Sequence, residues 1–134
     1  MKRLKSLDEW IAEYKRNAGE WEVSDAETVW FRPEYGFFTW CLDWERKWMV
    51  VPKMCGDGRL MRKVIYDMMT VCRPYGFEGV LFCTRKHVKA YMRVLGGKLL
   101  KTETTFNTRT KRDEPIYYIL VSWEDVVEKG GAVL

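Results

Sequence analysis

The chain has 134 residues, of which 47% are hydrophobic and 31% charged, and its formal net charge is +4. That length and balance suit one folded domain with a real core, and exclude a disordered or fibrous chain. No apolar run approaches the about 18 residues of a membrane helix, and the basic start, Met1 to Lys5, leads into acidic residues in place of a signal-peptide core, so a cytoplasmic protein is expected.

The cysteines, Cys41, Cys55, Cys72 and Cys83, form no C-x-x-C pair, and His87 is the one histidine. Zinc spacing is therefore absent and no metal site is expected. Each cysteine lies in an apolar stretch, which predicts buried free thiols. No base stands beside Cys55 in the sequence to make it a nucleophile. Charge is unevenly spread: residues 6–45 hold ten acids and three bases, residues 85–112 nine bases and one acid, Glu103. A basic block of that kind is either a solvated face or a surface for a polyanion. No nucleic-acid motif accompanies it and few aromatics interleave with it, so nucleic acid ranks last among partners.

Taken in order, Ser6 to Ala18 reads as a helix with Leu7, Trp10, Ile11 and Tyr14 on one face, a Ser6/Glu9 capping box and Gly19 at its end. Residues 20–27 read as loop. Three strands follow as a meander, at about Thr28–Arg32, Phe37–Leu42 and Arg46–Val51, with Pro52 expected to stop the ladder. A helix from about Arg59 to Cys72 carries Leu60, Met61, Val64, Ile65, Met68, Met69 and Cys72 on one face, and Arg73 to Gly76 breaks it. Gly79–Thr84 is continuously apolar, the pattern of a central strand covered on both faces. Arg85–Leu95 is a second amphipathic helix ended by Gly96-Gly97. A strand from Lys98 to Thr105, a basic connection over Asn107–Glu114, a strand from Pro115 to Trp123 and an acidic segment fraying at Gly130-Gly131 complete the chain. The expected fold class is α/β (α+β): a mixed sheet with helices on both faces.

Between the third strand and the next helix stands Lys53-Met54-Cys55-Gly56-Asp57-Gly58-Arg59. A glycine turn opening a helix aims unpartnered N–H groups outward, and the helix dipole adds partial positive charge there. It reads either as an anion site, for phosphate above all, or as a tight turn with Asp57 capping the helix. A carboxylate in the loop weakens the first reading unless it turns outward.

The element order, with Lys53-Met54-Cys55-Gly56-Asp57-Gly58 in the place of a Gln/Arg-x-x-Gly-x-Gly/Ala motif, resembles the GNAT N-acyltransferase superfamily. The stretch Lys89-Ala90-Tyr91-Met92-Arg93-Val94-Leu95-Gly96-Gly97 is similar to that family's Ala-x-x-x-Tyr-x-x-x-Gly-Phe helix end. A looser resemblance is to abbreviated proteins of tailed phages, which would put the chain in a host cytoplasm or virion. The resemblance covers roughly residues 28–123 and implies a GNAT-like fold, acetyl-CoA as co-substrate and acyl transfer to an amine acceptor. It implies that Val50 and Val51 flank the pantetheine arm. It also implies that backbone N–H groups of Met54, Cys55, Gly56, Asp57, Gly58 and Arg59 hold the pyrophosphate, with Lys53, Arg59 and Arg62 adding charge. Glu45, Asp43 and Glu34 are candidate bases, Glu45 first among them. The sequence departs from the family in starting with a helix, in Gly97 where the family has Phe, and in Met92 at the position of the acid tyrosine. Tyr91, one residue away, reads as core or as acid. The departures keep a second expectation open: a GNAT-like binding or virion-associated protein without transfer activity, whose many aromatics supply a protein interface; an exposed edge strand would allow pairing into a homodimer.

Overall fold

A computed structural model of the chain describes residues 4–17, 21, 23–85, 88–107 and 110–128. The first helix, α1 (Leu7–Asn17), begins with the expected capping box. Ser6 Oγ accepts from the Glu9 N–H at 3.2 Å and the Glu9 carboxylate accepts from the Ser6 N–H at 3.1 Å. Trp10 is its buried residue, and the indole N–H donates to the Pro33 carbonyl at 3.0 Å, tying the helix to the following meander. Its expected end, at Ala18 and Gly19, lies outside the described residues.

The meander is β1 (Thr28–Arg32), β2 (Gly36–Asp43) and β3 (Trp48–Gly56), paired antiparallel. β3 does not stop at Pro52 as expected, but continues to Gly56, and its ladder with β2 resumes at Lys53. Helix α2 (Gly58–Cys72) buries Met61, Ile65, Tyr66 and Met69, the stripe its spacing of three and four predicts. After a short 3-10 turn come β4 (Gly79–Thr84) and α3 (Val88–Leu95). Gly96 then adopts a left-handed φ of 76° and its N–H closes on the Met92 carbonyl at 2.8 Å. β5 (Lys98–Asn107) and β6 (Arg112–Ser122) form the closing hairpin. It is longer, and its connection shorter, than the basic run suggested. Trp123 does not end a strand but starts α4 (Trp123–Glu128). There the Ser122 hydroxyl accepts from the Asp125 N–H at 3.3 Å and the Asp125 carboxylate accepts from the Ser122 N–H at 3.1 Å, a second capping box. The expected fraying point at Gly130-Gly131 lies outside the described residues.

The six strands order as β1-β2-β3-β4-β6-β5, with β3 and β4 parallel and the other neighbours antiparallel. Adjacent residues on β2 point to opposite faces. Phe37 meets the rings of Tyr14 and Trp21 at 5.9 and 5.2 Å on the α1 side. Phe38 joins Met49, Val51, Val80, Phe82, Ile119 and Val121 in the core that α2 and α3 close on the other side. β4 is buried along its first four residues, as its continuous apolarity predicts. No described helix is long and apolar enough to cross a membrane.

Candidate functional site

The site begins with a register error between strands. From Cys41↔Val50 to Thr39↔Lys53 the ladder takes two steps on β2 and three on β3. The extra residue is a β-bulge at Val51–Pro52, where proline's missing N–H costs no ladder bond. The bulge bends β3 away from its other neighbour. β3 and β4 pair in register from Trp48↔Gly79 to Val51↔Phe82 and no further, although both strands continue. It also exchanges faces: beyond it Lys53 and Cys55 point to the α1 side, reaching Glu27 and Glu13.

The parted strands enclose a cavity of about 400 Å³. Met54, Cys55, Gly56 and Gly58 form one wall, and Cys83, Thr84 and Arg85 the opposite one. Tyr14 and Asn17 of α1 and the Ala90, Tyr91, Val94 and Leu95 face of α3 close the rest. Gly58 belongs to this wall by size: a Cβ there would meet nothing nearer than a Val94 methyl at 3.9 Å, so the fold itself does not demand glycine. Gly56 is different. It sits at φ +124° against Gly36 at φ +119°, and a Cβ on it would stand 2.0 Å from the Tyr35 carbonyl oxygen. The first glycine of the motif is thus fixed by the close crossing of two turns.

In the turn itself both readings of the sequence meet. The Asp57 carboxylate accepts from the Leu60 N–H at 3.2 Å, an N-cap bond, and the Asp57 N–H donates to the Tyr35 carbonyl at 2.8 Å. Gly58 and Arg59 stand at the first two helical positions, where helix geometry gives a backbone N–H no intrahelical acceptor.

The predicted residues are only partly brought together. Met54, Cys55, Gly56 and Gly58 line the cavity; Val50 and Val51 do not, because they lie within the β3–β4 ladder before the strands part. Lys53 turns away from the turn. Its ammonium lies 2.9 Å from the Glu27 carboxylate, with the two side chains only 12% and 7% exposed. Burial alone would raise the Glu27 carboxyl, but bonds from the Ser24 N–H, Lys53 and Thr39 outweigh it and hold it below its ordinary value. Arg59 is exposed on the first turn of α2. Arg62 is engaged, donating to the Val94 carbonyl at 2.7 Å. Glu45 is exposed in the β2–β3 turn at the far end of β3. With nine residues in that strand, it stands on the order of 25 Å from Gly56.

Tyr91, not Met92, faces the cavity. Its hydroxyl donates to the Met54 carbonyl at 3.4 Å, bridging α3 to the departing β3. Burial, reinforced by Tyr14, raises its pKa and keeps it protonated. Tyr14 is likewise pushed up to about 12 by burial, against the opposing charge of Arg85. Arg85 itself is held by the β5–β6 hairpin, through the Thr105 hydroxyl at 2.8 Å and the Glu114 carbonyl at 3.3 Å. The base that sequence did not place beside Cys55 is Glu13, 3.5 Å from its sulfur, but burial and that carboxylate push the thiol up to about 12. Cys83 reaches about 12 through burial. Neither is a nucleophile near neutral pH. Among the described residues no carboxylate lines the cavity.

Tyr14, Asn17, Cys83, Thr84 and Arg85 were not singled out by the sequence as site residues. No local signal marks them, since they become neighbours only when α1 and β4 flank the parted strands.

No family model matches this sequence, and no curated protein matches it. Solved structures do resemble it. A probable GNAT-family acetyltransferase from Chromobacterium violaceum superposes with a TM-score of 0.58 at 10% identity, over 93% of this chain and 69% of that one. A probable acetyltransferase from Staphylococcus epidermidis gives 0.57 at 12% identity, over 86% and 83%. The ribosomal-protein-S18-alanine N-acetyltransferase of Escherichia coli gives 0.54 at 10% identity, over 90% and 91%. By these superpositions, the chain has the fold of the GNAT acetyltransferases.

Proposed function

We propose that the chain is an acyl-CoA-dependent N-acyltransferase, with acetyl-CoA as co-substrate and an amine as acceptor. The observation that carries this is the cleft left where β3 and β4 stop pairing, closed at one end by the first turn of α2. Backbone groups of β3 beyond Val51 no longer bond to β4 and suit the amides of a pantetheine arm. The amides of Gly58 and Arg59, with the Arg59 guanidinium, suit its pyrophosphate. The thioester supplies an activated acyl group. Direct attack by an amine needs no protein nucleophile, which fits two thiols held protonated. The chain's own part is to bind, orient and supply a proton. Tyr91, held protonated beside the cleft, suits the role of proton donor to the leaving thiolate and would regain its proton from solvent. The Glu45 carboxylate is too distant to receive the amine's proton within the cavity, so solvent receives it.

A second reading, binding without transfer, draws on the Asp57 carboxylate in the phosphate turn and on the lack of a described carboxylate in the cavity. Titration calorimetry with acetyl-CoA, alongside release of free CoA thiol from a panel of amines, separates the two. The expected result is micromolar binding that Gly58→Glu removes by filling the cavity wall, with thiol release that Tyr91→Phe slows by about tenfold or more at unchanged affinity. Binding without release on any amine favours the second reading. No heat up to millimolar acetyl-CoA sinks both.

A further inference from the structure

β5 is the one long strand at an edge of the sheet, and nothing described lies beyond it. It has ten residues, and the first seven, Lys98 to Thr104, are exposed on both faces. Leu99, Leu100 and Phe106 are 46%, 44% and 52% exposed on it, more large apolar side chains than an edge carries when it is designed to stay in water. The other edge, β1, has five residues. The ladder with β6 shifts register between Leu99 and Lys101, so the regular edge runs from Lys101 to Asn107, where alternate residues turn their backbone donors and acceptors outward as a template for another strand.

The charges on β5 say which strand. Lys101 and Glu103 lie two apart on one face, and their side chains meet at 2.6 Å. Let a second β5 pair antiparallel across a two-fold axis perpendicular to the sheet. Side chains keep their faces under that operation, so a residue must sit on the axis. With Lys101 on the axis, two ammonium groups oppose each other; with Glu103 there, two carboxylates do. With Thr102 there, Lys101 opposes the second copy's Glu103 and Glu103 opposes the second copy's Lys101. The two intrastrand pairs then close into a square of alternating charge, and directly opposed unlike charges are the favourable arrangement. We propose that the protein forms a two-fold dimer through β5, in the register centred on Thr102, joining two six-stranded sheets into one.

Sedimentation velocity over a concentration series, with circular dichroism to verify folding, tests this. The wild type is expected to be a dimer at micromolar concentration. Lys101→Glu and Glu103→Lys each place four like charges in the square and should weaken association by about tenfold or more. The double variant Lys101→Glu/Glu103→Lys restores alternation and should return to within about threefold of the wild type. A monomeric wild type at hundreds of micromolar overturns the dimer. A dimer indifferent to either single change, or not restored by the double one, overturns the interface and its register.

Discussion

Asp57 serves two masters: its carboxylate caps α2 through the Leu60 N–H, yet puts a negative charge where the turn would receive phosphate. The two effects separate by substitution. Asparagine caps as well as aspartate, so Asp57→Asn should leave urea stability within about 0.5 kcal/mol. Removing a full charge from within a few ångströms of a diphosphate is worth about 1 kcal/mol or more, so acetyl-CoA should bind about fivefold tighter by calorimetry. Asp57→Ala should give the same gain in binding but lose about 1 kcal/mol of stability with the cap. Unchanged affinity in both variants would mean that the phosphates do not lie in this turn. The thiols allow a test of a different kind. With Cys55 and Cys83 at about 12, their thiolate fraction at pH 8 is smaller than that of an ordinary cysteine by about a thousandfold. Peptide mapping after iodoacetamide treatment should find both almost unlabelled at pH 8, with rates still rising about tenfold per pH unit beyond pH 9. A plateau near pH 9 would show ordinary thiols and an open, wet cleft.

Among the elements, β3 decides the site, and what holds it are contacts distant in sequence. Gly36 and Gly56 cross so closely that Gly36→Ala would set a Cβ 2.0 Å from the Cys55 carbonyl oxygen. That substitution should cost upwards of about 3 kcal/mol, or abolish folding. Gly58→Ala, at a helical position with room, should be neutral or stabilising by up to about 1 kcal/mol in the same urea titrations. The Glu27–Lys53 pair anchors β3 beyond its bulge to the segment before β1. Glu27→Gln leaves Lys53 without its counter-charge and should cost about 3 kcal/mol at pH 7. The folded Glu27 carboxyl lies below its ordinary 4.5. Its contribution is therefore complete above that value and is lost as pH falls through the folded one. The variant should accordingly lose less stability than the wild type between pH 5 and 3. Local and periodic features were legible beforehand: the Ser6/Glu9 box, the α2 stripe, and β4 as a central strand. The bulge was not, because a register shift exists only between two strands, and a lone Pro52 reads as a stop. Lys53 read as a phosphate cation because its partner lies 26 positions away. Glu13 was invisible beside Cys55 at a separation of 42. Which of Tyr91 and Met92 faces the cavity was not legible, because helix-end counting assumes a fixed glycine, whereas packing of α3 on the cleft decides it.

Across the whole molecule, the packed core and the cleft divide along the sheet. The core of Phe38, Met49, Val51, Met61, Ile65, Val80, Phe82 and Ile119 sits where β3, β4 and β6 are in register. The cleft sits at the end where β3 and β4 have let go, and there the backbone has fewer ladder bonds to break before it opens. Amide exchange should reflect that division. The amides of β4 from Val80 to Phe82 should exchange slowest, at or near the global unfolding rate. Those of residues 53–60, β4's end at Cys83 and Thr84, and the start of α3 should exchange faster through local opening. Acetyl-CoA binds only the closed native cleft under the proposed function, so saturation at about one hundred times its Kd should add up to about 2.7 kcal/mol of protection. That gain should concentrate at residues 53–60, Cys83–Thr84 and 88–95, leaving β1 unchanged. β5 should respond instead to protein concentration, its outward amides slowing as the dimer forms. Ligand protection spread evenly over the sheet would mean binding elsewhere, or binding that merely stabilises the fold as a whole. Protection of β5 by ligand at low protein concentration would mean that the cleft and the edge strand are coupled through β6, which borders both β4 and β5.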